Sequence, residues 1–231
     1  MTGSERYAVY FAPAPASPWW RFAAHWVGRD ETSGAALPQA CPPGFSPAAF
    51  AELTGDARRY GFHATLRPPM RLAGTPAALL ERLAALAGRL EAVAIGTLVP
   101  VYMDGFVALV PAARNPALNA LAAECVTALQ PLREPLNAAE RARRKPERLD
   151  PRGLELLELY GYPGVLERFR FHMTLTGPVD TATAGRLVAH LAPIVARLNH
   201  EEAPVLDRLC LFHEAAPGHP FLRIHDAPLR S

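Results

Sequence analysis

The sequence predicts an α+β fold built by internal duplication of one lobe, each copy a small antiparallel sheet with helices. Three observations carry this. The word Phe-His-x-Thr-Leu occurs twice, at 62–66 and 171–175. After each copy comes the same order of elements: a helical stretch and then two strand-like runs. The two histidines, His63 and His172, lie 109 residues apart, a fitting length for one lobe of a 231-residue chain. The chain is read as a single bilobal domain over 1–231, with approximate lobes 1–112 and 113–231 that are free to exchange strands.

The elements follow in order. Tyr7 to Phe11 is a short apolar strand, and Ser17-Pro18 then offers a helix cap with proline at the first helical position. Trp19, Phe22, Ala23 and Trp26 recur at helical spacing up to a stop at Gly28. Residues 29–46, rich in proline, glycine and small polar residues, read as a long surface connection able to form a lid. Ser46-Pro47 opens a further short helix. Gly61 to Leu66 is a strand stopped by Pro68-Pro69, and Thr75-Pro76 caps a helix bearing Leu79, Leu83, Leu86 and Leu90. Leu98–Tyr102 and Phe106–Val110 flank Asp104-Gly105, a hairpin signal. Between the halves lie a helix over Pro116–Leu129, a charged stretch at 138–148 and a leucine-rich helix at 152–159. The second half has a strand at 170–176, a helix bearing Leu187, Leu191 and Val195, and runs at 205–212 and 221–225 joined by Pro217-Gly-His-Pro220.

Half of the residues are hydrophobic, so a sizeable core is expected rather than disorder. Basic and acidic residues number 24 and 22, too balanced for a sequence-independent grip on duplex nucleic acid. Three separated cysteines suggest neither a disulfide framework nor a zinc knuckle. The absence of a signal-like or membrane-length apolar run makes a cytoplasmic protein the expectation. No cofactor and no obligate protein partner are called for. His213, His219 and His225 have no carboxylate or cysteine companion at a familiar ligand spacing, so no metal site is assigned.

The repeated word points to chemistry because side chains at i and i+2 of a strand share a face. One face then gathers His63, Thr65 and Arg67 in the first copy, and Arg170, His172, Thr174 and Thr176 in the second; the apolar residues between them pack. A neutral imidazole can take a proton from an attacking water while a protonated one supplies a leaving oxygen. Threonine hydroxyls and arginines can hold non-bridging phosphate oxygens. One His-x-Thr means little, since chance alone yields roughly half a His-x-Ser/Thr match in a chain of this composition. Two copies of the longer word are better explained by duplication.

These residues resemble the two-histidine (2H) phosphoesterase superfamily, whose signature is a pair of hydrophobic-His-x-Ser/Thr-hydrophobic strands about a hundred residues apart. Tyr7-Ala-Val-Tyr-Phe-Ala-Pro13, Trp26-Val-Gly-Arg-Asp30, Arg59 to Thr65 and Phe169 to Thr176 are similar to a bacterial branch associated with phosphonate-utilisation operons. The resemblance implies two pseudo-symmetric lobes that place both motif strands across a central cleft, and metal-independent opening of a cyclic phosphodiester there, with His63 and His172 as the acid/base pair and Thr65 and Thr174 as phosphate binders. Which histidine is the base stays open. The implied substrate is a small sugar cyclic phosphate; the alternatives are a nucleotide or RNA 2′,3′-cyclic phosphate and a non-catalytic nucleotide- or RNA-binding module. Tyr60 near the first motif is a candidate for substrate contact, and Arg143 and Arg144, from the run Arg141 to Arg148, are candidates for a second anionic group.

Overall fold

The computed structural model describes residues 5–231. Seven strands make one antiparallel sheet: β1 (Arg6–Phe11), β2 (Ala64–Met70), β4 (Leu98–Met103), β5 (Phe106–Pro111), β6 (Met173–Thr174), β8 (Arg208–Glu214) and β9 (Leu222–Pro228), in the order β4-β5-β6-β2-β1-β8-β9. Two further strands, β3 (Val93–Ala94) and β7 (Val205–Leu206), pair with each other. Each histidine is followed by a helix, a two-residue strand and a hairpin. The hairpins cross over: β4-β5 joins β6 of the second half, whereas β8-β9 joins β1 of the first. Residue 112 therefore divides the chain but not the sheet.

Five helices start on one local rule. In α1 (Pro18–Val27), α2 (Pro47–Leu53), α4 (Pro76–Ala87), α5 (Pro116–Leu129) and α7 (Pro151–Tyr160), proline at the first position needs no N–H partner. The residue before it, Ser17, Ser46, Thr75, Asn115 or Asp150, accepts a hydrogen bond from a free backbone N–H of the first turn. Gly28 ends α1 at φ 77°, a conformation natural to glycine. The remaining helices are α3 (Gly55–Tyr60), α6 (Ala138–Arg143) and the long α8 (Thr181–Glu201).

Alternation along β1 divides the interior. Tyr7, Val9 and Phe11 belong to the large core, together with Leu79 and Leu83 of α4, Leu118 and Leu121 of α5 and Leu187 and Leu191 of α8. Ala8, Tyr10 and Ala12 join a smaller cluster with Cys210, Phe212 and Phe221. Each large apolar side chain so buried contributes roughly 1.5–3 kcal/mol. The indole N–H of Trp26 donates to the Leu175 carbonyl at 3.0 Å, tying α1 to the second motif.

Several expectations shift. β2 runs through Pro68 and Pro69 instead of stopping there. Its partner β6 pairs with it only at Ala64, so the missing proline N–H groups leave no bond of that ladder unmade. The strand expected over 170–176 contracts to Met173–Thr174, and the run at 205–212 breaks at Asp207 into β7 and β8. Residues 29–46 are pinned at several points: Arg29 reaches the carbonyls of Arg58, Arg59 and Phe221, and Gln39 reaches that of Trp26 and the Thr54 hydroxyl. No residue of 29–46 lines the cavity around the histidines. Asp104 (φ 51°) and Gly105 (φ 95°) make the tight turn that their sequence signals.

Candidate active site

Ala64 of β2 pairs with Met173 of β6, and both side chains are buried in the large core. Carrying this antiparallel register one residue either way sets His63 across from Thr174 and Thr65 across from His172. All four side chains line one cavity of about 450 Å³. The two motifs thus close into one site.

The same device sets both imidazoles. His63 Nδ1 lies 2.9 Å from the Gly61 carbonyl, and His172 Nδ1 lies 2.8 Å from that of Arg170. A carbonyl only accepts, so Nδ1 carries the proton in the neutral ring and Nε2 is left as the basic nitrogen. The Thr65 hydroxyl stands 3.2 Å from His63 Nε2 and donates to it in that tautomer.

Their surroundings differ. Tyr10, itself buried, stacks on His63 with centroids 3.8 Å apart, and Tyr60 and Phe212 close in at 6.0 and 6.3 Å. Burial, together with repulsion from His172, pushes the His63 imidazole down to about 4. His172 packs against Phe106, and burial lowers its imidazole too; the bond to the Arg170 carbonyl opposes this, the Arg170 guanidinium adds to it, and Asp104 on the nearby hairpin turn offsets part of that guanidinium's effect. Five arginines, Arg6, Arg59, Arg144, Arg168 and Arg170, and one carboxylate, Asp56, reach the wall of the inner cavity; Arg168 pairs with Asp150, Arg170 with Asp104, and Arg6 and Arg59 share Glu214, which leaves a modest positive excess.

Of the expected site residues, His63, His172, Thr65, Thr174, Tyr60, Arg170 and Arg144 line this cavity. Arg170 is paired with Asp104, and Arg143 lines an adjoining hollow. Arg67 and Thr176 do not reach the cavity. Between Tyr10 and Val9 the β1 partner advances from Thr65 to Arg67, one residue more than β1 itself, and this bulge breaks the alternation that puts Arg67 on the histidine face. Arg67 is 1% exposed, with its guanidinium spent on Met70 Sδ, the Tyr160 carbonyl and Gln130 Oε1. Thr176, also buried, accepts from the Val107 N–H and donates to the Gly177 carbonyl. Tyr10, Arg6 and Arg59 line the cavity without being among the expected site residues: Tyr10 and Arg59 stand in segments that carry the family resemblance, but their contacts run between distant segments and no motif gives them a role.

A family described as "Protein of unknown function (DUF1045)" matches residues 65–222. The chain belongs to DUF1045. It is 34% identical over 232 residues to a protein of Janthinobacterium sp. (strain Marseille) named ribose 1,5-bisphosphate phosphokinase PhnN, covering 96% of this chain and 50% of that protein. A protein of the same name from Laribacter hongkongensis (strain HLHK9) is 37% identical over 218 residues, with 94% and 50% covered. The DUF1045 chain thus spans about half the length of these relatives. Among solved structures it is similar to E. coli LigT in complexes with NADP+ and with 3′-AMP, at TM-scores of 0.44 and 0.41 and 13% and 14% identity, covering 99% of each chain.

The placement of Arg67 in this DUF1045 chain has a direct test. Arg67→Leu strands the Tyr160 carbonyl and Gln130, so stability should fall by about 2–3 kcal/mol, read as a lowered midpoint of denaturant unfolding. Activity per folded molecule should change less than about threefold, an amount well below the loss of a phosphate-binding arginine. A large activity loss with unaltered stability would return Arg67 to the site.

Proposed function

We propose that the chain is a phosphodiesterase that opens a cyclic phosphodiester of a small sugar phosphate by paired-histidine acid/base catalysis. The observation that carries this is the reciprocal placing of His63 and His172, each across the strand pair from the other motif's threonine, in one cationic cavity. On this reading His63, held neutral by burial beneath Tyr10, is the base, and His172, the less depressed imidazole, is the acid. His63 Nε2 takes a proton from water as the water oxygen bonds to phosphorus. The ester P–O bond breaks, and His172 gives its Nε2 proton to the departing alkoxide. Thr65 and Thr174 turn their hydroxyls to the non-bridging oxygens, where charge builds in the transition state. The two imidazoles supply both proton transfers, so the mechanism requires no metal.

A cavity of about 450 Å³ suits a small molecule. The relatives' name joins ribose 1,5-bisphosphate to proteins of twice the length, and opening a cyclic phosphodiester on a phosphorylated ribose yields a compound of that class. The phosphokinase activity in that name is not proposed for this chain. Its only lysine, Lys145, sits in Arg-Arg-Lys-Pro, and the sequence has no Gly-x₄-Gly-Lys-Ser/Thr for cradling a nucleotide triphosphate. Phosphonate metabolism is the setting that fits such a substrate.

The decisive experiment is hydrolysis of ribose cyclic phosphates, nucleoside 2′,3′-cyclic phosphates and RNA 2′,3′-cyclic ends by the parent and by His63→Ala and His172→Ala variants. Each variant should lose about 10²–10⁴ in kcat on the true substrate, and the parent should turn over unimpaired in excess chelator. Equal rates in parent and variants would rule the mechanism out. Tight stoichiometric binding without product would point instead to a binding module.

The pH profile tests the assignment of roles. Since the base must be unprotonated, kcat/KM should rise through a limb near pH 4 as His63 loses its proton. Since the acid must be protonated, kcat/KM should fall through a limb below the ordinary 6.5 as His172 loses its own. A His172→Ala variant that loses the alkaline limb and keeps the acid one fits this order; the converse reverses it.

A further inference from the structure

We propose that the hollow beside the catalytic cavity is a subsite for a second phosphoryl group, so that the substrate carries a phosphomonoester as well as the diester to be opened. This rests on the phosphodiesterase reading for the diester and adds the second group. The hollow, of about 410 Å³, shares Arg6, Arg59, Tyr60, Pro69 and Arg144 with the histidine cavity and adds Arg143. The two volumes therefore adjoin along a shared wall.

The charge there is in excess. Arg6 and Arg59 share a single carboxylate, the fully buried Glu214, so one of their two charges is left uncompensated. Arg143 and Arg144 have no carboxylate partner among the described residues. Glu140, the carboxylate that lines the hollow, is taken up by Arg71 and by the cap of its own helix. The four guanidiniums come from β1, α3, the end of α6 and the residue after it, segments far apart in sequence that converge on one hollow. Several rest on rings: Arg59 over Tyr60 at 5.0 Å, Arg144 over Tyr162 at 4.8 Å and Arg6 over Phe221 at 5.6 Å. A solvated helix face would spread its charges outward. Arginines braced on aromatic rings around a concavity match a phosphomonoester, a compact dianion that takes several guanidinium donors at once. The two adjoining volumes favour one sugar-sized unit bearing both groups over a length of RNA.

The test measures how much a second phosphate is worth, with and without the arginines. Pairs of substrates that differ only in a 5-phosphate are compared, one pair a ribose cyclic phosphate and the other adenosine 2′,3′-cyclic phosphate. The proteins are the parent, R143A/R144A and R143K/R144K, each checked for folding by its thermal midpoint. In the parent the 5-phosphate should raise kcat/KM by about 30-fold or more on at least one pair. In R143A/R144A this advantage should shrink to about threefold or less, and R143K/R144K should restore part of it. Which pair shows the advantage distinguishes a sugar from a nucleotide source. An advantage absent from the parent, or undiminished in R143A/R144A, overturns the subsite. Calorimetry with ribose 1,5-bisphosphate and ribose 1-phosphate reads the same difference without turnover. If no cyclic phosphate is hydrolysed yet the bisphosphate's affinity advantage depends on Arg143 and Arg144, the subsite stands and the diesterase reading falls. If cyclic phosphates are hydrolysed with no such advantage, the diesterase reading stands and the subsite falls.

Discussion

The pairing of Ala64 with Met173 is the contact on which the site depends. It is the one register pair that joins β2 to β6, and through it the group β2-β1-β8-β9 meets the group β4-β5-β6. Because side chains alternate along a strand, two buried apolar residues at that pair force their neighbours to the other face. His63, Thr65, His172 and Thr174 are therefore brought together by the packing of residues with no chemistry of their own. A register slip of one residue would bury the imidazoles and expose Ala64 and Met173, so the burial that stabilises the sheet also holds the site in place.

The symmetry ends at the four motif side chains. Around His63 the walls come from β1, α3 and β8, which supply Tyr10, Tyr60 and Phe212. Around His172 they come from the β4-β5 hairpin, which supplies Phe106 at one end of its turn and Asp104 within the turn. The crossed hairpins make this difference possible, since each motif is neighboured by strands from the other half of the chain. Two copies of one word thus acquire unequal environments, and unequal proton affinities follow from them.

Local signals made much of the fold legible. The Ser-Pro, Thr-Pro and Asp-Gly pairs mark helix starts and a turn by the chemistry of a few adjacent residues, and Pro116–Leu129 is the observed span of α5. The motif histidines and threonines were legible because strand alternation is itself local. Arg67 shows the limit of that rule: one inserted residue in β2, visible only against β1, turns a supposed phosphate ligand into a buried structural cation held down to about 10. The arginines of the outer hollow were half legible. Arg143 and Arg144 stand in a conspicuous basic run, but Arg6 and Arg59 join them only through the tertiary fold and their shared Glu214.

Burial that depresses both histidines suits the base and works against the acid, and in the proposed chemistry the substrate resolves this conflict. An imidazole at the floor of a desolvated cavity is readily neutral, as the base requires, but the acid must hold its proton until the ester bond breaks. A bound phosphodiester brings a negative charge between the two rings, and the field of that charge favours an imidazolium. The less depressed ring gains most readily, and that is His172. His63, stacked under Tyr10 and more strongly depressed, has further to rise before it would accept a resting proton. The anion that is the target of the reaction thus helps to charge one histidine while the protein keeps the other neutral. Cations at the cavity wall oppose that charging, Arg170 among them, and its pairing with Asp104 offsets only part of its field at His172. The uncompensated guanidinium of Arg143 stands at the outer hollow, and that of Arg144 lies on the wall common to the hollow and the histidine cavity.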